Sequence, residues 1–107
     1  MINAKQIITS LNEPTEADIA LVNLAYEVAN KAHEGTKRYS GEPYMTHVAE
    51  VGLMLAEMGM GPRTIAAGLL HDTLEDTDIS AEDIKEKFGD EILFLVDGVT
   101  KLSSVRY

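Results

Sequence analysis

An all-α helical bundle is predicted by three features of the sequence. Apolar residues recur at three- and four-residue spacing along most of the chain. Two such segments open on a hydroxyl residue with an acid three positions later, Thr15 with Asp18 and Ser80 with Asp83, the form of a capping box. No long stretch alternates apolar and polar residues; the short run Ile92 to Val96 is the one piece that also reads as strand. At 107 residues the chain makes one domain, 1–107, with a single core.

The elements follow in order. Residues 4–11 form a short helix with Ile7, Ile8 and Leu11 on one side, broken by Asn12-Glu13-Pro14. Thr15 caps a helix over 16–33 that turns Ile19, Val22, Ala25, Tyr26 and Ala29 inward, with Gly35 suited to the turn after its end. Within it His33 reads as a surface or helix-end residue. Residues 36–43 are a polar loop with glycine and proline punctuation, the kind of segment that carries binding groups. A third helix, 44–58, presents Tyr44, His47 or Val48, Val51, Leu55 and Met58 inward, and Gly59-Met60-Gly61 stops it. Pro62 opens a fourth helix over 62–74. Ser80 opens a short helix ending at Phe88-Gly89, and residues 90–102 place Ile92, Leu93, Leu95, Val96 and Val99 on a last apolar stripe. That stripe needs a partner, so the domain is expected to be incomplete at its C-terminal end. Its Ile92, Leu95, Val96 and Val99 are expected to be partly uncovered or to self-associate.

Composition narrows the function. A net charge of −9 argues against DNA as a partner, because phosphate contacts need clustered cations. A small anion bound in a pocket is still permitted, since a metal ion and a few local cations override the distant field. The absence of cysteine excludes disulfides and thiolate zinc sites. No run approaches the ~20 apolar residues of a membrane span, and the first residues lack the form of a signal peptide. A cytoplasmic protein without a membrane partner is the expectation.

Chemistry concentrates in His71-Asp72-Thr73-Leu74-Glu75-Asp76, directly after the apolar run Ile65 to Leu70. If the helix continues, Asp72, Glu75 and Asp76 share a face. Acids at a helix C-terminus oppose its dipole and are destabilising there unless a cation offsets them. The plainer alternative is a helix end followed by a solvated acidic loop. His47 on its own reads as a core histidine; paired with His71 and Asp72 it completes a mixed nitrogen and oxygen set. Such a set suits Mn, Fe, Zn or Co and disfavours Ca. Lys37 and Arg38, in the 36–43 loop, are either surface charges or phosphate contacts.

These residues lie within a wider pattern. Ala32-His33-Glu34-Gly35, Arg38, Ser40-Gly41-Glu42-Pro43-Tyr44 and His47 stand in one order with Ala66-Ala67, Leu70-His71-Asp72-Thr73 and Glu75-Asp76-Thr77. Phe88-Gly89 and Val96-Asp97-Gly98-Val99-Thr100-Lys101-Leu102 continue it. Over about residues 20–103 the chain resembles the HD hydrolase domain of bifunctional Rel/SpoT alarmone enzymes. The resemblance implies an HD-domain helical bundle and a 3′-pyrophosphohydrolase acting on guanosine 3′,5′-bis(diphosphate), (p)ppGpp, with Mn2+ as the usual metal. It implies His47, His71 and Asp72 as three of four metal ligands, Glu75 and Asp76 as acids that handle the attacking water, and Arg38 and Ser40 as nucleotide contacts. Tyr39 and Val48 depart from the family pattern, Val48 mildly. The fourth ligand, an aspartate in a later helix, has no counterpart before Tyr107, and neither does a synthetase region. The isolated 107 residues are therefore expected to bind metal weakly and turn over little. Two alternatives stay open: an HD phosphohydrolase for another nucleotide, and a regulatory HD module with a vestigial metal site.

Overall fold

In a computed structural model, the backbone is described for residues 1–105 and side-chain surroundings for residues 1–99. Thr100-Lys101-Leu102 of the family resemblance and the chain end at Arg106-Tyr107 fall outside the residues whose side chains are described. The helices run α1 (Ala4–Thr9), α2 (Glu16–Ala32), α3 (Tyr44–Glu57), α4 (Pro62–Leu70), α5 (Thr73–Asp76), α6 (Ala81–Phe88) and α7 (Asp90–Val105). No strand forms among the described residues, and the all-α prediction holds; Lys37 and Pro43 make one isolated antiparallel bridge. No helix among them is long and apolar enough to cross a membrane.

Both predicted capping boxes are present. Asp18 N donates to Thr15 Oγ1 at 3.1 Å while Thr15 N donates to the Asp18 carboxylate at 2.9 Å. Ser80 and Asp83 repeat the arrangement. A third box, Asn3 with Gln6, stands at the head of α1, with an amide in place of the hydroxyl and acid of the other two.

The bundle is organised around α4. Its residues Ile65 to Leu70 are six consecutive buried positions, because α2, α3 and α7 all pack on it. Full burial of a leucine side chain such as Leu69 or Leu70 contributes about 1.5–3 kcal/mol. The contact with α3 is set by small residues. A Cβ on Gly52 would lie 2.6 Å from Leu69 Cδ2 and 3.1 Å from Ile7 Cδ1, so a glycine is what lets the two helices approach.

That close approach corrects the expected face of α3. Its buried positions are Met45, Val48, Ala49, Gly52 and Ala56, whereas Met58, expected inward, is 62% exposed. The face is centred on small residues that admit α4, and the bulkier Val51 and Leu55 lie half-buried at its margin, beside Gly68. On the last helix the apolar stripe is partly uncovered, as expected. Ile92 and Val96 are buried, since α7 packs on both α4 and α6. Leu95 is half-buried, and Val99 stands at the rim of an apolar groove of about 270 Å³ shared with Val51 and Leu55. Only part of the stripe is uncovered.

The two glycines of the α3–α4 contact predict opposite outcomes. Alanine gains roughly 1 kcal/mol of helix propensity over glycine, against about 1–3 kcal/mol for overpacking a core. At Gly52 the new methyl meets Leu69 and Ile7 from two sides, so Gly52→Ala should lower the melting temperature. At Gly68 it meets chiefly Leu55 Cδ1, at 2.5 Å, on a half-buried side chain that can rotate away. Gly68→Ala should melt at or above the wild-type temperature by circular dichroism. Equal losses in both would contradict this packing.

Candidate functional site

The site forms where α4 runs out. A helix leaves its last carbonyls without main-chain partners, and here side chains supply the donors. Thr73 Oγ1 donates to Leu70 O at 2.6 Å, and His71 Nδ1 lies 2.6 Å from Gly68 O. These local bonds compete with helical continuation, and α4 stops at Leu70 where a helix over 62–74 was expected. After His71 and Asp72 the chain begins the four-residue α5, closed by Asp76 N donating to Asp72 O at 2.9 Å. Asp72 therefore sits at the head of α5 and Glu75 and Asp76 within it, both exposed.

The bond to Gly68 O determines the state of the imidazole. A carbonyl only accepts, so Nδ1 carries the proton. The other nitrogen, Nε2, faces Asp72 Oδ1 at 3.1 Å with both side chains largely covered. With one proton on the ring this contact sets two acceptors against each other. It is attractive only when positive charge enters it, as a second ring proton or a bound cation. Imidazole that donates one N–H to a backbone carbonyl and keeps the other nitrogen as acceptor is also the ordinary state of a metal-ligating histidine. On this chemistry His71 and Asp72 fit a divalent cation.

The rest of the predicted set is placed less tightly. Among the described residues no three His, Asp or Glu side chains form a metal-holding group. His47 stands one helical turn along α3, its ring edge-on to Tyr44 with centroids 6.0 Å apart. It shares with Lys37, Arg38, Tyr39 and Tyr44 the lining of an open cleft of about 430 Å³. The loop that brings the cations there is a small hairpin: Arg38 N donates to Glu42 O, Gly41 N to Arg38 O and Tyr44 N to Thr36 O, at 2.8–2.9 Å. Gly41 takes a φ of +90°, which a side chain resists. Ser40 Oγ donates to Glu42 Oε1 at 3.2 Å on the exposed rim of the same loop.

Two residues join the site that sequence reasoning left out. Tyr44, expected only as core, donates its hydroxyl to Asp72 Oδ2 at 2.8 Å, linking the start of α3 to the end of α4. Burial, then the hydrogen bond and charge of Asp72, hold its pKa well above the ordinary phenol value, with Asp76 adding and Arg38 opposing. The hydroxyl therefore stays protonated and donating. His33, expected at the surface, is 2% exposed and stacks on Tyr44 with centroids 4.8 Å apart. Neither of its ring nitrogens has a hydrogen-bond partner among the described residues. The helical spacing Val22, Tyr26, Ala29, His33 was the available signal, and a polar residue type masked it.

With the helical architecture and this cluster in view, comparison with known proteins defines the class. Residues 25–107 match the HD domain, and the chain belongs to the HD-domain family. More particularly, it is 54% identical over 86 residues to the GTP pyrophosphokinase of Streptomyces coelicolor, covering 80% of this chain and 10% of that protein. It is 52% identical over 86 residues to the guanosine-3′,5′-bis(diphosphate) 3′-pyrophosphohydrolase of Aquifex aeolicus, covering 80% of this chain and 12% of that protein. Over 92 residues it is 45% identical to the bifunctional (p)ppGpp synthase/hydrolase SpoT of Escherichia coli, covering 86% of this chain and 13% of that protein. The chain thus spans 10–13% of the length of these relatives.

Burial of His33 has a consequence for stability. Desolvation, opposed by Asp72 and Asp76, lowers its pKa below 6.5 in the folded state. The unfolded chain then takes the proton first, so this contribution is complete above 6.5 and is lost as pH falls through the folded pKa. Urea unfolding should show a loss of stability as pH falls below 6.5 that is smaller in His33→Phe. An equal loss in both proteins would refute it.

Proposed function

We propose that this chain carries the hydrolase centre of an enzyme that removes pyrophosphate from the 3′ position of guanosine 3′,5′-bis(diphosphate). The observation that carries the reading is the facing pair His71 Nε2 and Asp72 Oδ1, 3.1 Å apart and calling for positive charge between them. Tyr44 ties this pair to a cleft lined by Lys37 and Arg38. His71 and Asp72, with His47 as third ligand, would hold a divalent cation, Mn2+ in the first instance. When bound, the cation supplies Lewis-acid activation of water and neutralises diphosphate charge.

The chain's own residues do the rest. Arg38 clamps phosphate oxygens bidentately and Lys37 adds a mobile point charge. Ser40 contributes a hydroxyl to the nucleotide from the loop rim. Tyr39, fully exposed beside Arg38, offers its ring face to the base. Asp76 and Glu75, one turn beyond the ligands, accept and orient the proton of the attacking water; the charge of Asp76 is felt at both Tyr44 and His33. Local cations in the 36–43 loop offset the chain's net charge of −9 for a small anion, while the overall field disfavours DNA. The cytoplasm, where such a nucleotide is found, is the proposed compartment.

A chimera tests this directly. Residues 20–103 of this chain would replace the aligned segment of the Aquifex aeolicus protein. The chimera should release pyrophosphate from guanosine 3′,5′-bis(diphosphate) and spare nucleotides without a 3′-diphosphate. Asp76→Asn should slow it by about 10²–10⁴-fold, the usual weight of a general base. Equal turnover of nucleotides lacking the 3′-diphosphate would favour a different substrate, and activity indifferent to Asp72→Ala would reject the proposed centre.

A further inference from the structure

The phenol of Tyr44 is held by the loop before α3, by His33, which has no ligand role in the proposed centre, and by His47, its third ligand. The Tyr44 backbone N–H donates to Thr36 O at 2.8 Å, anchoring the first residue of α3 to the loop. One ring face lies on His33 at 4.8 Å and 26°, and the ring of His47 meets it at 6.0 Å and 77°. Held between two imidazoles, the phenol has its hydroxyl aimed across the bundle at Asp72 Oδ2, 2.8 Å away. The two oxygens of that carboxylate have separate duties: Oδ2 accepts from Tyr44 and Oδ1 faces His71.

We propose that Tyr44 is a positioning residue that fixes the rotation of the Asp72 carboxylate, and that His33 is the ring that keeps Tyr44 in place. The proposal rests on the reading of Asp72 as a cation ligand. The torsion that turns a carboxylate about its last bond is broad and has little preference of its own. Something else must choose which oxygen is presented beside His71, and the Tyr44 hydroxyl does so. His33 serves through its face. Its nitrogens are buried and unpartnered among the described residues, an arrangement that is itself destabilising. Any flat ring at position 33 should therefore support Tyr44 as well as histidine does.

Three variants of this chain separate the roles: Tyr44→Phe keeps the stack and removes the donor, His33→Phe keeps the face and removes the nitrogens, and His33→Ala removes the face. Two readouts apply: Mn2+ affinity from water-proton relaxation, and the Asp72 carboxyl carbon resonance in metal-free protein. Tyr44→Phe should weaken Mn2+ binding by about 10- to 100-fold, the usual effect of losing a group that orients a ligand, and shift the Asp72 resonance. His33→Phe should match the wild type in both, while His33→Ala moves toward Tyr44→Phe. A folded Tyr44→Phe with unchanged affinity and an unmoved resonance would overturn the positioning role while Asp72→Ala still weakened binding. If Asp72→Ala bound Mn2+ as the wild type does, the ligand reading would fail and this proposal with it.

Discussion

The burial of the last six residues of α4 is the constraint from which the rest follows. Ile65 to Leu70 touch α2, α3 and α7 and leave no polar edge until His71. A helix so enclosed has to end where the chain turns polar, and its last carbonyls need donors at that point. The His71 ring and the Thr73 hydroxyl provide them. The same bond that closes the helix sets the proton on Nδ1 and turns Nε2 toward Asp72. Helix termination and site chemistry are one set of hydrogen bonds.

The electrostatics around this point are layered. Asp72 and Asp76 place negative charge beside a phenol and a buried imidazole, and both respond: Tyr44 is held protonated, His33 is held neutral by burial despite the two acids. Arg38 and Lys37 line the cleft from a hairpin whose turn depends on Gly41. A strongly acidic chain thus has local cations at a cleft that Tyr44 joins to Asp72. A cation held by His71 and Asp72 and a polyanion bound by Arg38 and Lys37 would each strengthen the other. The small residues of the α3–α4 contact matter here too, since Gly52 sets the distance between the helix bearing Tyr44 and His47 and the one ending in His71.

Much of the fold was legible in the sequence because its signals are local. Thr15 with Asp18 and Ser80 with Asp83 act within one turn, and both helix starts are where those pairs place them. The family pattern from Ala32 to Asp76 likewise pointed to the correct class. What was not legible depends on partners distant in sequence. The face of α3 is chosen by what α4 can approach, and Gly52 and Ala49 are poor signals of burial by themselves. The break after Leu70 needs two side chains to find carbonyls three residues back. His33 goes inward because Tyr44, from another helix, covers it. The Tyr44–Asp72 bond spans 28 positions and leaves no periodic trace.

In the proposed centre His71 and Asp72, with His47, would hold a divalent cation at the end of α4. Anomalous diffraction from crystals of the chain equilibrated with Mn2+ tests it most directly. One strong peak should appear in direct bonding contact with His71 Nε2 and Asp72 Oδ1, with His47 drawn in as third ligand. A peak confined to other carboxylates of this acidic surface, or none at saturating Mn2+, would contradict it.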